Sequence, residues 1–87
     1  MKVAVWDTYV NKADGRVMHF DIIVPNEIDD EKVIYDYGKA YLKSKGKEDL
    51  TLSAKECEFC HIETVRPDWK SEIDRNGYFI YEMENCE

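Results

Sequence analysis

The chain has 87 residues, of which 44% are hydrophobic and 36% charged, a composition typical of a folded domain. This length supports one hydrophobic core, so we expect residues 1–87 to form a single domain. Nineteen acidic residues against twelve basic ones give a net charge of −7. Such a charge repels phosphate backbones and anionic lipids, which argues against a nucleic-acid or membrane partner.

The first ten residues contain a short apolar stretch that Asp7 interrupts, and no signal-peptide cleavage pattern follows it. No apolar run is long enough to span a membrane. The three cysteines are an odd number, which would leave an unpaired thiol in any disulfide framework. We therefore expect reduced thiols and a cytoplasmic location.

Two segments rich in β-branched and aromatic residues, Lys2–Val10 and Arg16–Val24, flank a polar turn that ends in Gly15. This pattern predicts a β-hairpin. Pairing Trp6 with Phe20 aligns the apolar faces of the two strands, whereas a slip of one residue would set apolar against polar side chains. In this register Asp7 lies opposite His19.

Helix signals follow the hairpin. Asp29 is a suitable N-cap for a helix that runs to Ser44 with an apolar stripe at helical spacing. Leu50–Leu52 fits a short strand, and Ser53 with Glu56 has the spacing of a capping box that would begin a helical turn.

The C-terminal third predicts one more helix and one more strand. Pro67 suits the first position of a helix that ends at Asn76 and Gly77, and Tyr78–Met83 alternates as a strand. The elements give an α+β fold of ββαβαβ order, in which the hairpin belongs to a small mixed sheet and both helices pack on one face.

The densest group of potential metal ligands is Cys57, Cys60 and His61. On a helical turn their spacing would place them on one side, where thiolates and an imidazole can bind zinc. A closed site needs a fourth ligand, and Cys86 or His19 would have to supply it. Redox chemistry and c-type haem attachment also use this Cys-x-x-Cys-His spacing. Ordinary packing of the cysteines is the simplest interpretation, and we expect no resident cofactor, with zinc as the alternative.

A second candidate is a polar site on the hairpin face opposite the core, formed by Asp7, Tyr9, His19 and Asp21. A carboxylate beside an imidazole is half of a general-base arrangement, but no Ser or Cys nucleophile is near in the sequence. A cross-strand pair on a solvated sheet face explains the same residues without catalysis.

The third candidate is a tyrosine patch. Eleven aromatic residues exceed what a chain of this size can bury completely, and Tyr is enriched at protein interfaces. Tyr35, Tyr78 and Tyr81 could therefore face a protein partner or a second copy of the chain. Packing in the core with the hydroxyls at its rim explains these tyrosines equally well.

Four segments together resemble a known family. They are Trp6–Val10, Val17–Asp21, the Cys57, Phe59, Cys60 and His61 group, and Asn76–Tyr81. The chain resembles, over nearly its whole length, short bacterial proteins grouped as the domain of unknown function numbered two thousand and twenty-four. The resemblance implies a bacterial, cytoplasmic α+β protein and carries over no catalytic residue.

The sequence thus favours an uncharacterised, non-enzymatic binding or regulatory domain. The alternatives are a thiol or zinc protein that uses Cys57, Cys60 and His61, and a small hydrolase built on Asp7 and His19.

Overall fold

A computed structural model describes residues 1–47, 50 and 57–86, without the side chains of residues 57–60. Its elements follow the order ββαβαβ: β1 (Lys2–Asn11), β2 (Val17–Pro25), α1 (Glu31–Ser44), β3 (Cys57–Thr64), α2 (Pro67–Asn76) and β4 (Phe79–Glu84). The predicted α+β class and element order are confirmed. The predicted strand Leu50–Leu52 and the Ser53–Glu56 capping box lie, apart from Leu50, outside the described residues.

The four strands form one sheet in the order β3-β1-β2-β4, so the two strands of the N-terminal hairpin are the central ones. Every pairing is antiparallel, and the predicted mixed sheet is therefore wrong. Strands β2 and β3 run in the same direction, as do β1 and β4, but a hairpin strand separates each of these pairs. Parallel strands are consequently never neighbours.

The hairpin register differs from the predicted one by two residues. Trp6 lies opposite Ile22, and Asp7 lies opposite Asp21 instead of His19. A shift of two keeps every side chain on its predicted face, so hydrophobic alternation cannot distinguish the two registers. The turn decides between them: Lys12 donates a backbone hydrogen bond to Arg16 at 2.9 Å, and Gly15 adopts a φ of 90°, as in three-residue hairpin loops that end in a left-handed residue.

Helix α1 begins after Asp30, whose carboxylate accepts a hydrogen bond from the backbone N–H of Lys32, one residue later than the predicted N-cap Asp29. It covers one side of the sheet, which we call the α1 face. The buried residues there include Trp6, Phe20 and Ile22 of the hairpin together with Ile34 and Leu42 of the helix.

Helix α2 lies on the other side of the sheet, which we call the α2 face. Its Trp69 and Ile73 bury Val3, Val5 and Ile23. The prediction that both helices pack on one face is therefore wrong. The residues on the hairpin's second face explain the outcome: near the N-terminus of β1 they are apolar and need a cover, whereas further along they are polar.

No helix among the described residues is long and apolar enough to cross a membrane.

Candidate functional site

The polar residues predicted on the hairpin lie together on the α2 face, beyond the area that α2 covers. Asp7 and Tyr9 project from β1, opposite Asp21 and His19 of β2 respectively. Tyr9 stacks on the His19 ring with centroids 4.2 Å apart and planes 13° apart. This stacking fixes the orientation of the imidazole.

Three of these side chains converge, and we call Asp7, His19 and Asp21 the His19 cluster. Their potential ligand atoms all lie within 4.8 Å of one another. His19 Nε2 is 3.6 Å from Asp21 Oδ1 and 3.8 Å from Asp7 Oδ1. His19 is thus diagonal to Asp7 across the hairpin, although the predicted register set the two directly opposite.

The His19 cluster is half-buried, with 17% of the His19 side chain and 15% of the Asp21 side chain exposed. His19 Nε2 and Asp21 Oδ1 are buried and have no hydrogen-bond partner among the described residues. Buried polar atoms usually have such a partner, and leaving one without it costs about 1–3 kcal/mol. The arrangement is therefore costly unless a bound group satisfies these atoms.

Within the His19 cluster, Asp21 has a shifted pKa. Burial raises its pKa to about 7, and the neighbouring Asp7 carboxylate adds to the effect. His61 opposes the rise and Glu63 adds to it. A cation at this position would relieve the repulsion between the two facing carboxyl groups.

Strand β3 brings two further ionisable residues to the α2 face. His61 and Glu63 lie opposite Val5 and Val3 of β1. The His61 Nε2 and Glu63 Oε1 atoms are 2.5 Å apart. His61 is therefore engaged with a carboxylate of its own strand.

The predicted cysteine site does not form in the predicted way, because Cys57–Thr64 is a β-strand and not a helical turn. Cys57 and His61 lie opposite Thr8 and Val5 of β1, which are three residues apart. Their Cα atoms are therefore about 10 Å apart, whereas a helix would separate them by about 6 Å along its axis. A β-bulge also interrupts the strand, since Val5 pairs with His61 and Trp6 with Phe59, so that Cys60 is the extra residue.

Cys86 cannot join His61 in one site. It is a buried free thiol in the α1-face core, next to the end of β4, and donates to the backbone carbonyl of His19 at 3.3 Å. His61 lies on the α2 face of β3, at the opposite edge of the sheet. Three strand spacings, or about 14 Å, separate the two edges.

The three tyrosines of the predicted patch do not share a surface. Tyr35 and Tyr78 pack against the α1-face core, where Tyr78 stacks on Tyr37. Tyr81 lies opposite Asp21 and contacts the edge of Trp69 on the α2 face.

Sequence reasoning missed the cavity beside the His19 cluster. Its lining includes Asp21, Glu63, Arg66, Trp69 and Tyr81. The sequence around the start of α2 could have indicated part of this cavity, because a helix that begins at Pro67 places Arg66 and Trp69 next to each other. Their proximity to Asp21 required α2 to be placed on the hairpin's second face.

Fold and site together define a small α+β domain with a His/Asp cluster on the part of its sheet that α2 leaves open. The model of a domain of unknown function, DUF2024, matches residues 1–83, and the chain belongs to this family. It is also similar to protein NE1680 from Nitrosomonas europaea, whose structure was determined by NMR. The two sequences are 42% identical, the similarity covers 100% of each chain, and the two structures superpose with a TM-score of 0.87. NE1680 is a structural genomics target. None of the curated proteins matches the chain.

Proposed function

We propose that this protein is a non-enzymatic binding domain that takes up one divalent transition-metal ion at the His19 cluster. The observation that carries the proposal is the convergence of one imidazole nitrogen and two carboxylate oxygens within 4.8 Å. Two of these atoms, His19 Nε2 and Asp21 Oδ1, are buried without a hydrogen-bond partner.

The distances suit a metal ion. Zinc binds nitrogen and oxygen ligands at about 2.0–2.2 Å, so two ligands of a tetrahedral ion lie about 3.4 Å apart. The separations of 3.6 and 3.8 Å from His19 Nε2 therefore need to close by only a few tenths of an ångström. The two carboxylate oxygens, which lie within 4.8 Å of each other, need to close by at most about 1.4 Å. Two carboxylates and an imidazole favour zinc or a similar first-row ion over Mg²⁺, which prefers an octahedron of oxygen atoms.

The same arrangement gives less support to the hydrolase alternative. Thr8, the hydroxyl residue next to Asp7, is fully buried on the α1 face. It cannot reach a substrate held at the cluster, so the residue next to Asp7 offers no aliphatic hydroxyl nucleophile to the α2 face.

The proposed metal site is thus the His19 cluster and not the group of Cys57, Cys60 and His61 that the sequence suggested. A cytoplasmic location accords with the proposal, since Cys86 is a free thiol and thiols stay reduced in the cytosol. A protein partner stays a prediction. The three tyrosines proposed to contact it do not support it further, because Tyr35 and Tyr78 lie on the α1 face and Tyr81 lies on the α2 face.

Isothermal titration with Zn²⁺ at about pH 8, where the Asp21 carboxyl is ionised, tests the proposal. We expect one ion per chain and an affinity at least about tenfold weaker in His19→Gln and Asp21→Asn. Asp36→Asn, which removes an exposed carboxylate on α1, is the matched control and should bind like the wild type.

A double variant, Cys57→Ser with Cys60→Ser, separates the two metal hypotheses. If it abolishes zinc binding while His19→Gln does not, the cysteines are the ligands and the proposal is wrong. Wild-type protein that binds no zinc would also contradict it.

A further inference from the structure

A cavity of about 120 Å³ adjoins the His19 cluster and shares Asp21 with it. Val5 and Ile23 of the sheet form its apolar floor, and the first turn of α2 forms one wall. Since an apolar cavity of about 150 Å³ holds benzene, the cavity has room for a ligand of roughly five non-hydrogen atoms.

Arg66 supplies a positive group at this cavity. It is the N-cap residue of α2, and its guanidinium lies 4.8 Å from the centroid of the Trp69 ring. It forms no ion pair within the described part of the chain, although Glu63 lines the same cavity. The neighbouring N-terminus of α2, a helix of ten residues, adds a positive field of the same sign.

We propose that this cavity binds a small monocarboxylate through Arg66, and that the metal ion at the His19 cluster controls its affinity. The inference rests on the proposed function. A guanidinium pairs with a carboxylate by two parallel hydrogen bonds, and the rings of Trp69 and Tyr81 offer apolar contact to a short alkyl chain.

The metal dependence follows from the charges. Asp21 and Glu63 line the cavity, and Asp7 lies beside Asp21, so without a metal these carboxylates repel an incoming anion. A bound divalent ion offsets two of the three negative charges, and Arg66 balances the third, so the cavity no longer carries a net negative charge that repels an anion. Metal and carboxylate therefore strengthen each other's binding, as reciprocal coupling requires.

An ammonium ligand is the competing chemistry, since Asp21 and Glu63 could receive it and aromatic rings attract cations. Arg66 would repel that ligand, and the metal ion would occupy Asp21. The carboxylate is therefore the better match to the full set of lining residues.

The test is an NMR titration with propionate, followed through the indole N–H signal of Trp69, on zinc-loaded and zinc-free protein. We expect propionate to bind the zinc-loaded protein at least about tenfold more tightly than the zinc-free protein. Arg66→Gln should lose this binding yet retain zinc affinity. Arg75→Gln, in the last turn of α2 and paired with Glu72, is the matched control and should behave like the wild type.

Three outcomes would overturn the inference. Equal propionate affinity in Arg66→Gln, equal affinity with and without zinc, or tighter binding of propylamine than of propionate each contradicts it while leaving zinc binding intact. If zinc itself fails to bind, the proposed function falls together with the coupling inferred here.

Discussion

At the scale of single residues, the hairpin sets two carboxyl groups directly opposite each other and adds an imidazole. Asp7 and Asp21 are cross-strand partners, an arrangement that is destabilising for like charges. Burial and this repulsion raise the pKa of Asp21 to about 7 from a usual value of 3.8. Holding Asp7 beside the buried Asp21 therefore lowers the free energy of unfolding near neutral pH, and a functional role for the cluster would account for that cost.

Asp21→Asn tests this cost in metal-free protein. Because the folded state raises the pKa, it holds the proton more tightly than the unfolded state, and the wild-type free energy of unfolding falls as pH rises from about 4 through about 7. At about pH 8 we expect the Asn variant to be more stable by on the order of 1 kcal/mol after discounting for solvent screening, or about 4–8 °C in Tm.

The stabilisation should shrink as the pH is lowered to about 5, where Asp21 is protonated in the folded wild type. Thermal melts of both proteins across this range, in the presence of a chelator, measure the difference. Asp36→Asn removes an exposed carboxylate and should show no such trend. A variant that is less stable than the wild type at both ends of the range would contradict the assigned cause.

At the scale of elements, helix α2 both completes the second core and provides a wall of the cavity. Pro67 begins the helix, and Gly77 ends it with a left-handed φ of 91°. A Cβ atom at Gly77 would lie 2.9 Å from the hydroxyl oxygen of Tyr37 on α1. The end of α2 is therefore fixed by backbone conformation and by contact with the other helix.

Gly77→Ala and Gly15→Ala form a matched pair. Both residues have a φ near 90°, but a Cβ at Gly15 meets nothing within 4 Å. A side chain at a left-handed position costs roughly 1–2 kcal/mol, so Gly15→Ala should lose about that amount of stability. Gly77→Ala should lose about 1 kcal/mol more, because Tyr37 must shift. Urea denaturation measures both values, and equal losses would show that the Tyr37 contact is unimportant.

At the scale of the whole molecule, the sheet is covered unequally on its two faces. Apart from Lys2 and Thr8, the α1 face is apolar along both hairpin strands, and α1 covers it, whereas α2 covers only the end of the second face around Val3, Val5 and Ile23. The polar remainder of that face holds the His19 cluster at the margin of the second core. Because α2 covers this face only in part, the His19 cluster is half-buried and yet open to a ligand from solvent.

The net charge of −7 predicts that the protein does not retain nucleic acids. Fluorescence anisotropy with labelled single- and double-stranded oligonucleotides should show no binding at about 0.1 M salt, with or without zinc. A clear signal that falls steeply as salt is added would contradict this expectation.

The sequence by itself determined the hairpin, both helices, the last strand and the faces on which the hairpin residues lie, because these depend on local propensity and on a period of two or 3.6 residues. It also grouped Asp7, Tyr9, His19 and Asp21 on one face. The tertiary structure alone decided the register, since a shift of two residues preserves the alternation and only the turn around Gly15 distinguishes the pairings.

Tertiary structure also decided the state of Cys57–Thr64 and the side on which α2 packs. A capping-box pattern and i, i+4 spacing describe only a local preference for a helix. Without a neighbour, the outer edge of β1 would carry unpaired backbone groups, and Cys57–Thr64 forms a strand because pairing with β1 satisfies them. The apolar patch of Val3, Val5 and Ile23 then requires a cover, which Trp69 and Ile73 provide. That packing sets Arg66 and Trp69 beside Asp21, a proximity that depends on residues more than forty positions apart in the chain and that no local pattern encodes.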